Sequence, residues 1–380
     1  MPHPLLPHAL NLRLPVIQGP MAGADTPALA AAVSQAGGLG MLGCGMRSPA
    51  AMAEAAAAVR AATARPFGMN LFVQEAPTPD AATVAQGLER LAPLYALFGL
   101  QPSAPARWCE DFAAQFEALI AARPAVASFT FGILSASQVE RLQAAGCYVM
   151  GTATTVVEAL AWAEVGADAV CASGQEAGGH RGTFLPCTSD ADGRSAPTQE
   201  DFTAAMVGMQ ALVPACVDAL APRGVAVVAA GGIMDGRGIA AAQALGAQVV
   251  QMGTAFLACP ESGIGPAYRQ ALARAQATDT RTTRIFSGRP ARGIANAMME
   301  RLQAEEARVP AYPVQNALTA ALRRAAAETG NADYLSLWAG QGVGAIRALP
   351  AAELLRQLTA EHDAALASLL ALAAPAPGAL

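Results

Sequence analysis

Lysine is missing from this sequence of 380 residues: all 24 basic residues are arginine, set against 29 acidic ones, for a formal net charge of −5. A nucleic-acid binder neutralises phosphates with a clustered basic surface, so this thin, acid-dominated charge excludes that class. Aromatic residues make up 5% of the chain and charged residues 14%, whereas 53% is hydrophobic, with alanine the commonest type. That balance disfavours an all-β fold with an aromatic core and suits many helices packed closely on a central sheet. The seven cysteines (Cys44, Cys109, Cys147, Cys171, Cys187, Cys216 and Cys259) stand singly. An odd number without any C-x-x-C pair argues against a disulfide framework and a zinc site, and for a reducing compartment. No uncharged apolar run is long enough for a membrane span. The opening residues lack a charged n-region and carry Pro2, Pro4 and Pro7, unlike a signal peptide, so a cytoplasmic protein is expected.

What is present is a rhythm. Short β-rich runs alternate with alanine-rich helical stretches, the pattern of right-handed βαβ units around a parallel sheet. Eight strands are expected, at residues 15–19, 38–43, 66–73, 126–132, 148–152, 168–173, 225–231 and 247–254. Helices are expected at 27–36, 49–62, 110–122, 137–145, 155–165, 202–220 and 238–245, with Ser135 or Ser137 as an N-cap. The fold class is therefore α/β, a (β/α)8 TIM barrel, which ordinarily needs roughly 250 residues. The surplus divides into an insertion after the third strand, about residues 74–108, and a mainly helical C-terminal elaboration. The expected domains are a barrel over 1–258 and a covering region over 259–380, with helices at 266–276, 295–306, 316–328 and 351–372. The terminal APAPGAL is expected to fray.

Glycines recur just after strands: Gly19 and Gly23, Gly132, Gly178 and Gly179, Gly231 and Gly232, Gly253. Glycine lets backbone N–H groups approach a ligand, and the loops after strands seven and eight of such barrels form the usual phosphate cradle. Without lysine, backbone amides must carry much of that binding. Gly231-Gly232 and the segment Gln251, Met252, Gly253, Thr254 supply the two halves, unless they are only tight βα turns. His180, within QEAGGHRGTF, alone among four histidines sits in a glycine loop at the expected catalytic face. It suits proton transfer or a charge-assisted hydrogen bond to an anion. Arg181 reads equally as a solvated loop charge or a structural ion pair. Asn70 is a polar amide inside a strand, and its one acceptor and two donors can match the pyrimidine edge of a flavin.

Taken together, PVIQGPMAG, PFGMN, ASGQEAGGHRG, AAGGIMDGRG, VQMGTAFL and SGRPARG resemble the nitronate monooxygenase family, formerly called 2-nitropropane dioxygenases. With YPVQNAL and SLWAGQG the resemblance runs in order from residue 15 to beyond 338. It implies noncovalent FMN, no metal, and O2 as the acceptor of electrons from a small anionic nitronate, propionate 3-nitronate or another, giving a carbonyl compound and nitrite. Met21, Ala22 and Gly23 would line the flavin, Asn70 its pyrimidine edge, and Gly178 and Gly179 the loop beneath it. Gly231, Gly232, Gln251, Met252, Gly253 and Thr254 would hold the ribityl phosphate, and His180 matches the active-site histidine. Where the family often carries a glutamine touching the flavin this chain has Ser173, so either Ser173 acts through a water or Gln175 substitutes. Whether His180 donates to a bound nitronate or removes the α-proton of a nitroalkane stays open.

Two rivals stand beside this reading: an FMN-dependent NAD(P)H enoyl-thioester reductase with similar glycine motifs, and a non-catalytic flavin-binding protein. The residues after Cys259 are expected to roof the substrate pocket, with Tyr312 and Arg292 on the substrate, rather than merely forming a dimer face. Monomer and homodimer are both compatible with the sequence.

Overall fold

A computed structural model describes residues 6–187 and 197–373. His3 and the APAPGAL tail lie outside the described residues. Eight strands run parallel: β1 (Val16–Gln18), β2 (Gly40–Gly43), β3 (Phe67–Phe72), β4 (Val126–Thr130), β5 (Tyr148–Ala153), β6 (Ala169–Ser173), β7 (Ala226–Ala230) and β8 (Val249–Met252). Each pairs with its neighbour in sequence, β8 returns to β1 through Val16↔Val250, and a parallel bridge Ile17↔Leu39 joins β1 to β2. The sheet therefore closes as the expected (β/α)8 barrel.

Alternation sorts the strand residues into two cores. Ile17, Met41, Val126, Met150, Cys171, Val228 and Val249 fill the interior. Helix Leu6–Ala9 plugs the N-terminal end, where Leu6 N donates to Gln248 Oε1 at 2.8 Å. Val16, Leu42, Met69, Val149, Val170 and Val250 point outward against the helices. The helices begin where local chemistry dictates. Thr26, Ser48, Asp111, Ser135, Thr155 and Asp235 each accept a backbone N–H of the first turn, and Gln138 completes a capping box with Ser135.

Three departures from the expected layout matter. Helix 202–220 is two helices, Gln199–Ala204 and Met209–Leu220, because Gly208 is extended and starts the second. The insertion after β3 contains a helix of its own, Ala81–Leu97. It packs through Leu91, Leu94 and Tyr95 on Ile285, Phe286, Met298, Leu318 and Leu322 of the C-terminal region. Insertion and C-terminal region thus share one separate hydrophobic core and make a cap, discontinuous in sequence. Finally, helix Ala351–Ala373 packs between helices Pro27–Ala36 and Gly236–Ala244, with Leu354, Leu355 and Leu358 in the barrel's outer core. The approach is so close that a Cβ on Gly236 would stand 2.1 Å from His362 N. By packing, this helix occupies the eighth barrel station, and the expected boundary at 258/259 does not separate barrel from cap. Among the described residues no helix is long and apolar enough to cross a membrane.

Candidate active site

The strand tips and the cap enclose a cavity of about 1090 Å3. Of the residues expected there, Met21, Ala22, Gly23, Asn70, Ser173, Gly178, Gly179, His180, Gly231, Gly232, Gln251, Met252, Gly253, Thr254 and Tyr312 all line it. Gln175 and Arg292 do not. Arg292 Nε donates to the carbonyl of Gln175 at 3.0 Å and Nη1 to Thr280 Oγ1 at 3.2 Å, so the two brace each other beside the cavity. The expectation of Arg292 as a substrate contact is corrected accordingly, and of Ser173 and Gln175 the first is the one that faces the cavity.

The floor is neutral. Asn70 Nδ2 donates to Ser128 Oγ at 2.9 Å and to Thr130 Oγ1 at 3.4 Å, and Thr130 Oγ1 lies 3.3 Å from Thr152 Oγ1. Asn70 is therefore built into a polar row across β3, β4 and β5. At one side Gly231 and Gly232 adopt φ of 129° and 67°, the left-handed region that favours glycine. Opposite, a Cβ on Gly253 would meet only Met21 Sδ, at 3.8 Å, so that glycine opens onto free space. Gln251 Oε1 is buried without a hydrogen-bond partner among the described residues.

The loop after β1 is tied from behind. Asp25 Oδ2 accepts from Met21 N and Gly43 N, both at 2.7 Å, and Arg47 Nη2 donates to Oδ1 at 3.2 Å. Burial outweighs these contacts and pushes the Asp25 carboxyl up to about 6. Sequence reasoning had no reason to pick this aspartate, because its partners are backbone groups.

His180 sits where barrel meets cap. Residues Gly179–His180 pair antiparallel with Ala291–Ile294, with Ala291 opposite His180, so a cap strand fixes the histidine's backbone. Phe131, Tyr312 and Trp338 surround its ring at centroid distances of 5.5, 5.7 and 5.3 Å. Nε2 lies 2.9 Å from Ser287 Oγ, which is also 3.1 Å from Arg289 O and 3.3 Å from Arg289 N. Burial first, then the guanidinium groups of Arg289 and Arg323, push the imidazole down to about 3, so it is neutral. Burial lowers Arg289 and Arg323 to about 10 each. Neither makes an ion pair with a carboxylate among the described residues. Arg289 instead donates to the carbonyls of Arg181 and Thr183 and covers the Phe131 ring at 4.2 Å, while Arg323 is held by Asn316.

Ser287, Arg289, Arg323 and Phe131 were missed. SGRPARG signals the first two, but which of its arginines faces inward depends on a strand pairing that only the fold supplies. Arg181 proves structural without an ion pair: it is 1% exposed and donates to the carbonyls of Gly174, Ser173 and Ala205. Among the described residues no cluster of three or more His, Cys, Asp or Glu could hold a metal.

Fold and site together define a (β/α)8 enzyme with a neutral, glycine-lined cradle at one end of its cavity and, elsewhere on its wall, one histidine with the guanidinium groups of Arg289 and Arg323 close by. The chain belongs to the nitronate monooxygenase family, whose profile matches residues 4–361, and is an oxidoreductase. It is 45% identical over 360 residues to the nitronate monooxygenase of Pseudomonas aeruginosa, covering 93% of this chain and 97% of that one. Among solved structures, a nitroalkane oxidase from Streptomyces ansochromogenes superposes with a TM-score of 0.85 at 39% identity, covering 96% of this chain and 99% of that one. FabK from Thermotoga maritima follows the same course with a TM-score of 0.73 at 28% identity, covering 97% and 98%.

Proposed function

We propose that this protein binds FMN across its strand tips and oxidises a small alkyl nitronate, propionate 3-nitronate being one candidate, with O2 as electron acceptor, to a carbonyl compound and nitrite. The residues present fit a flavin. Gly231, Gly232, Gly253 and Thr254 would take the phosphate through backbone groups, Asn70 and the unpartnered Gln251 Oε1 offer polar atoms to the ring's pyrimidine edge, and Met21 to Gly23 would lie along its plane. When bound, FMN would accept electrons from the nitronate and pass them to O2.

The observation that carries the reading is the neutral His180 beside the half-buried guanidinium groups of Arg289 and Arg323, neither of them in an ion pair among the described residues. Such a setting attracts an anion, and a nitronate is one where a nitroalkane is not. Ser287 sets what His180 can offer. Its hydroxyl has one proton: given to Arg289 O, it leaves Nε2–H donating to Ser287 and Nδ1 bare; given to Nε2, it leaves Nδ1–H free to donate. An anion selects the second arrangement. The bare-Nδ1 arrangement would be that of a base, but an imidazole pushed down to about 3 is a poor keeper of a proton taken from carbon, which favours the donor role.

The test uses the purified protein. Its absorption spectrum should be that of a flavin, nitronate in air should consume oxygen, and NADH under nitrogen should leave the flavin oxidised. Rapid bleaching by NADH with no response to nitronate would favour the reductase instead. His180→Ala should keep the flavin and lose roughly 10²- to 10⁴-fold in turnover; unchanged turnover would leave only a flavin carrier.

A further inference from the structure

Phe131 has a backbone conformation that folding alone does not call for. Its φ of 80° lies in the left-handed region, which costs a residue with a side chain about 1–3 kcal/mol. Among the described residues the other two such residues, Asn11 and Arg123, sit in a turn and at the C-terminus of helix Phe112–Ala122, where that conformation ends an element. Phe131 instead follows the tip of β4 and lines the cavity, directly before Gly132. Glycine at 131 would remove the strain.

What the strain delivers is a ring in one place. It stacks on Phe72 at 4.4 Å with planes 28° apart and carries the Arg289 guanidinium at 4.2 Å. It meets Tyr312 and His180 edge-on at 5.1 and 5.5 Å. The side chain is 8% exposed, and what remains faces the cavity beside the imidazole. Phe131, Phe72 and Tyr312 thus make an apolar wall beside the imidazole, against which the substituent of an anion held by His180 would lie. Close-packed rings locked against a charged group yield little.

We propose that Phe131 is a specificity-determining residue whose ring limits the length of the alkyl substituent, so that the preferred nitronates are short and unbranched. This rests on the nitronate reading above. A site of this kind distinguishes neighbours in a chain-length series by roughly tenfold per added group once the wall is reached.

The experiment compares wild-type holoenzyme with Phe131→Gly and Phe131→Leu. Arg289 should stay anchored without the ring, because two carbonyls and Phe202 also hold it. Turnover is measured with the nitronates of ethane, butane and hexane, and binding is followed as the flavin spectral change on adding acetate, butyrate or hexanoate. Removing a ring packed on His180 lowers kcat/KM for every nitronate by a common factor, so the expected result is read from the shape of the chain-length series. The hexane-to-ethane ratio should rise at least about tenfold in Phe131→Gly and less in Phe131→Leu, with carboxylate affinities moving in parallel. A chain-length profile of unchanged shape, whether all values fall together or none does, overturns the proposal. If wild type turns over no nitronate, the functional reading fails, and the carboxylate series still decides whether Phe131 is the wall. Should Phe131→Gly not fold, the same ratio measured in Phe131→Leu decides the matter.

Discussion

The barrel and the cap contribute opposite kinds of chemistry to one cavity. The barrel gives glycines, hydroxyls and amides: Gly23, Gly231, Gly232 and Gly253, the Asn70–Ser128–Thr130 row, and Gln251. The cap gives Ser287 and Arg289 behind the imidazole, and Tyr312, Arg323 and Trp338 in the wall, all side chains with charge, a proton or a ring. His180 lies at the seam, its backbone paired to a cap strand and its loop rooted in the barrel. On the proposed function, the difference teaches how a fold without lysine would handle two anionic groups. A phosphate can be met by backbone N–H groups at strand tips, where glycine makes room. On the proposed function a small substrate anion would be met by His180 and the nearby guanidinium groups, and the cap touches the cradle directly where Gly340 N donates to Thr254 Oγ1 at 2.9 Å.

That division can be broken by a barrel change that spares the cap. Gly253→Val should give the largest effect. The added Cβ would meet only Met21 Sδ, at 3.8 Å, so the fold should melt within a few degrees of wild type. The bulk nonetheless projects into the cavity, where the proposed flavin's phosphate would lie. Overpacking of about 1–3 kcal/mol corresponds to roughly 10- to 100-fold weaker FMN binding. Fluorescence of FMN released on dilution measures it. Unchanged affinity would move the phosphate elsewhere, and a large loss of melting temperature would make Gly253 a structural residue.

The complementary cap change is smaller. Ser287→Ala removes the hydroxyl 2.9 Å from His180 Nε2 while leaving a residue buried in the cap. Loss of one hydrogen bond, about 0.5–1.5 kcal/mol, should lower kcat/KM for nitronate by about 3- to 10-fold with the flavin spectrum and affinity intact. Simultaneous loss of flavin would erase the distinction between the two regions.

The same division governs what is legible without the fold. All eight barrel strands fall within a few residues of their expected positions, because the βα period and the glycines that end the strands are local signals. Cap elements are set by tertiary contacts. Helix Ala81–Leu97 contains Pro93 and Gly87, which argue against a helix locally. Gly87 is there because a Cβ would stand 2.7 Å from Leu318 of the cap. The strands Thr280–Thr283 and Ala291–Ile294 are short and contain polar residues; they pair with each other, and the second also pairs with Gly179–His180, far away in sequence. Helix Ala351–Ala373 is legible as a helix, but its station against the first barrel helix is not, since the whole C-terminal cap segment intervenes. Arg292 stands out in place of Arg289 because composition does not tell which arginine of SGRPARG turns inward.

Two titratable groups, Asp25 behind the barrel loop and His180 at the seam, should make stability respond to pH with opposite signs. Asp25, 4% exposed behind the barrel loop, is raised from 3.8 to about 6. Between these values the native state holds a proton that the unfolded chain has released, so its contribution is complete below about pH 4 and is lost as pH rises through about 6. His180 at the seam is lowered from 6.5 to about 3, so the unfolded chain takes the proton first. Its contribution is present above 6.5 and declines as pH falls toward 3. Asp25→Asn should therefore gain stability relative to wild type between pH 4 and 7, by up to about 3 kcal/mol, whereas His180→Gln should gain as pH falls below 6.5. Urea unfolding of both variants across that range measures the two slopes. A flat difference for Asp25→Asn would mean that Arg47 and the two backbone N–H groups fully offset burial, whereas a slope of the opposite sign would make the tie behind Met21 a net source of stability at neutral pH.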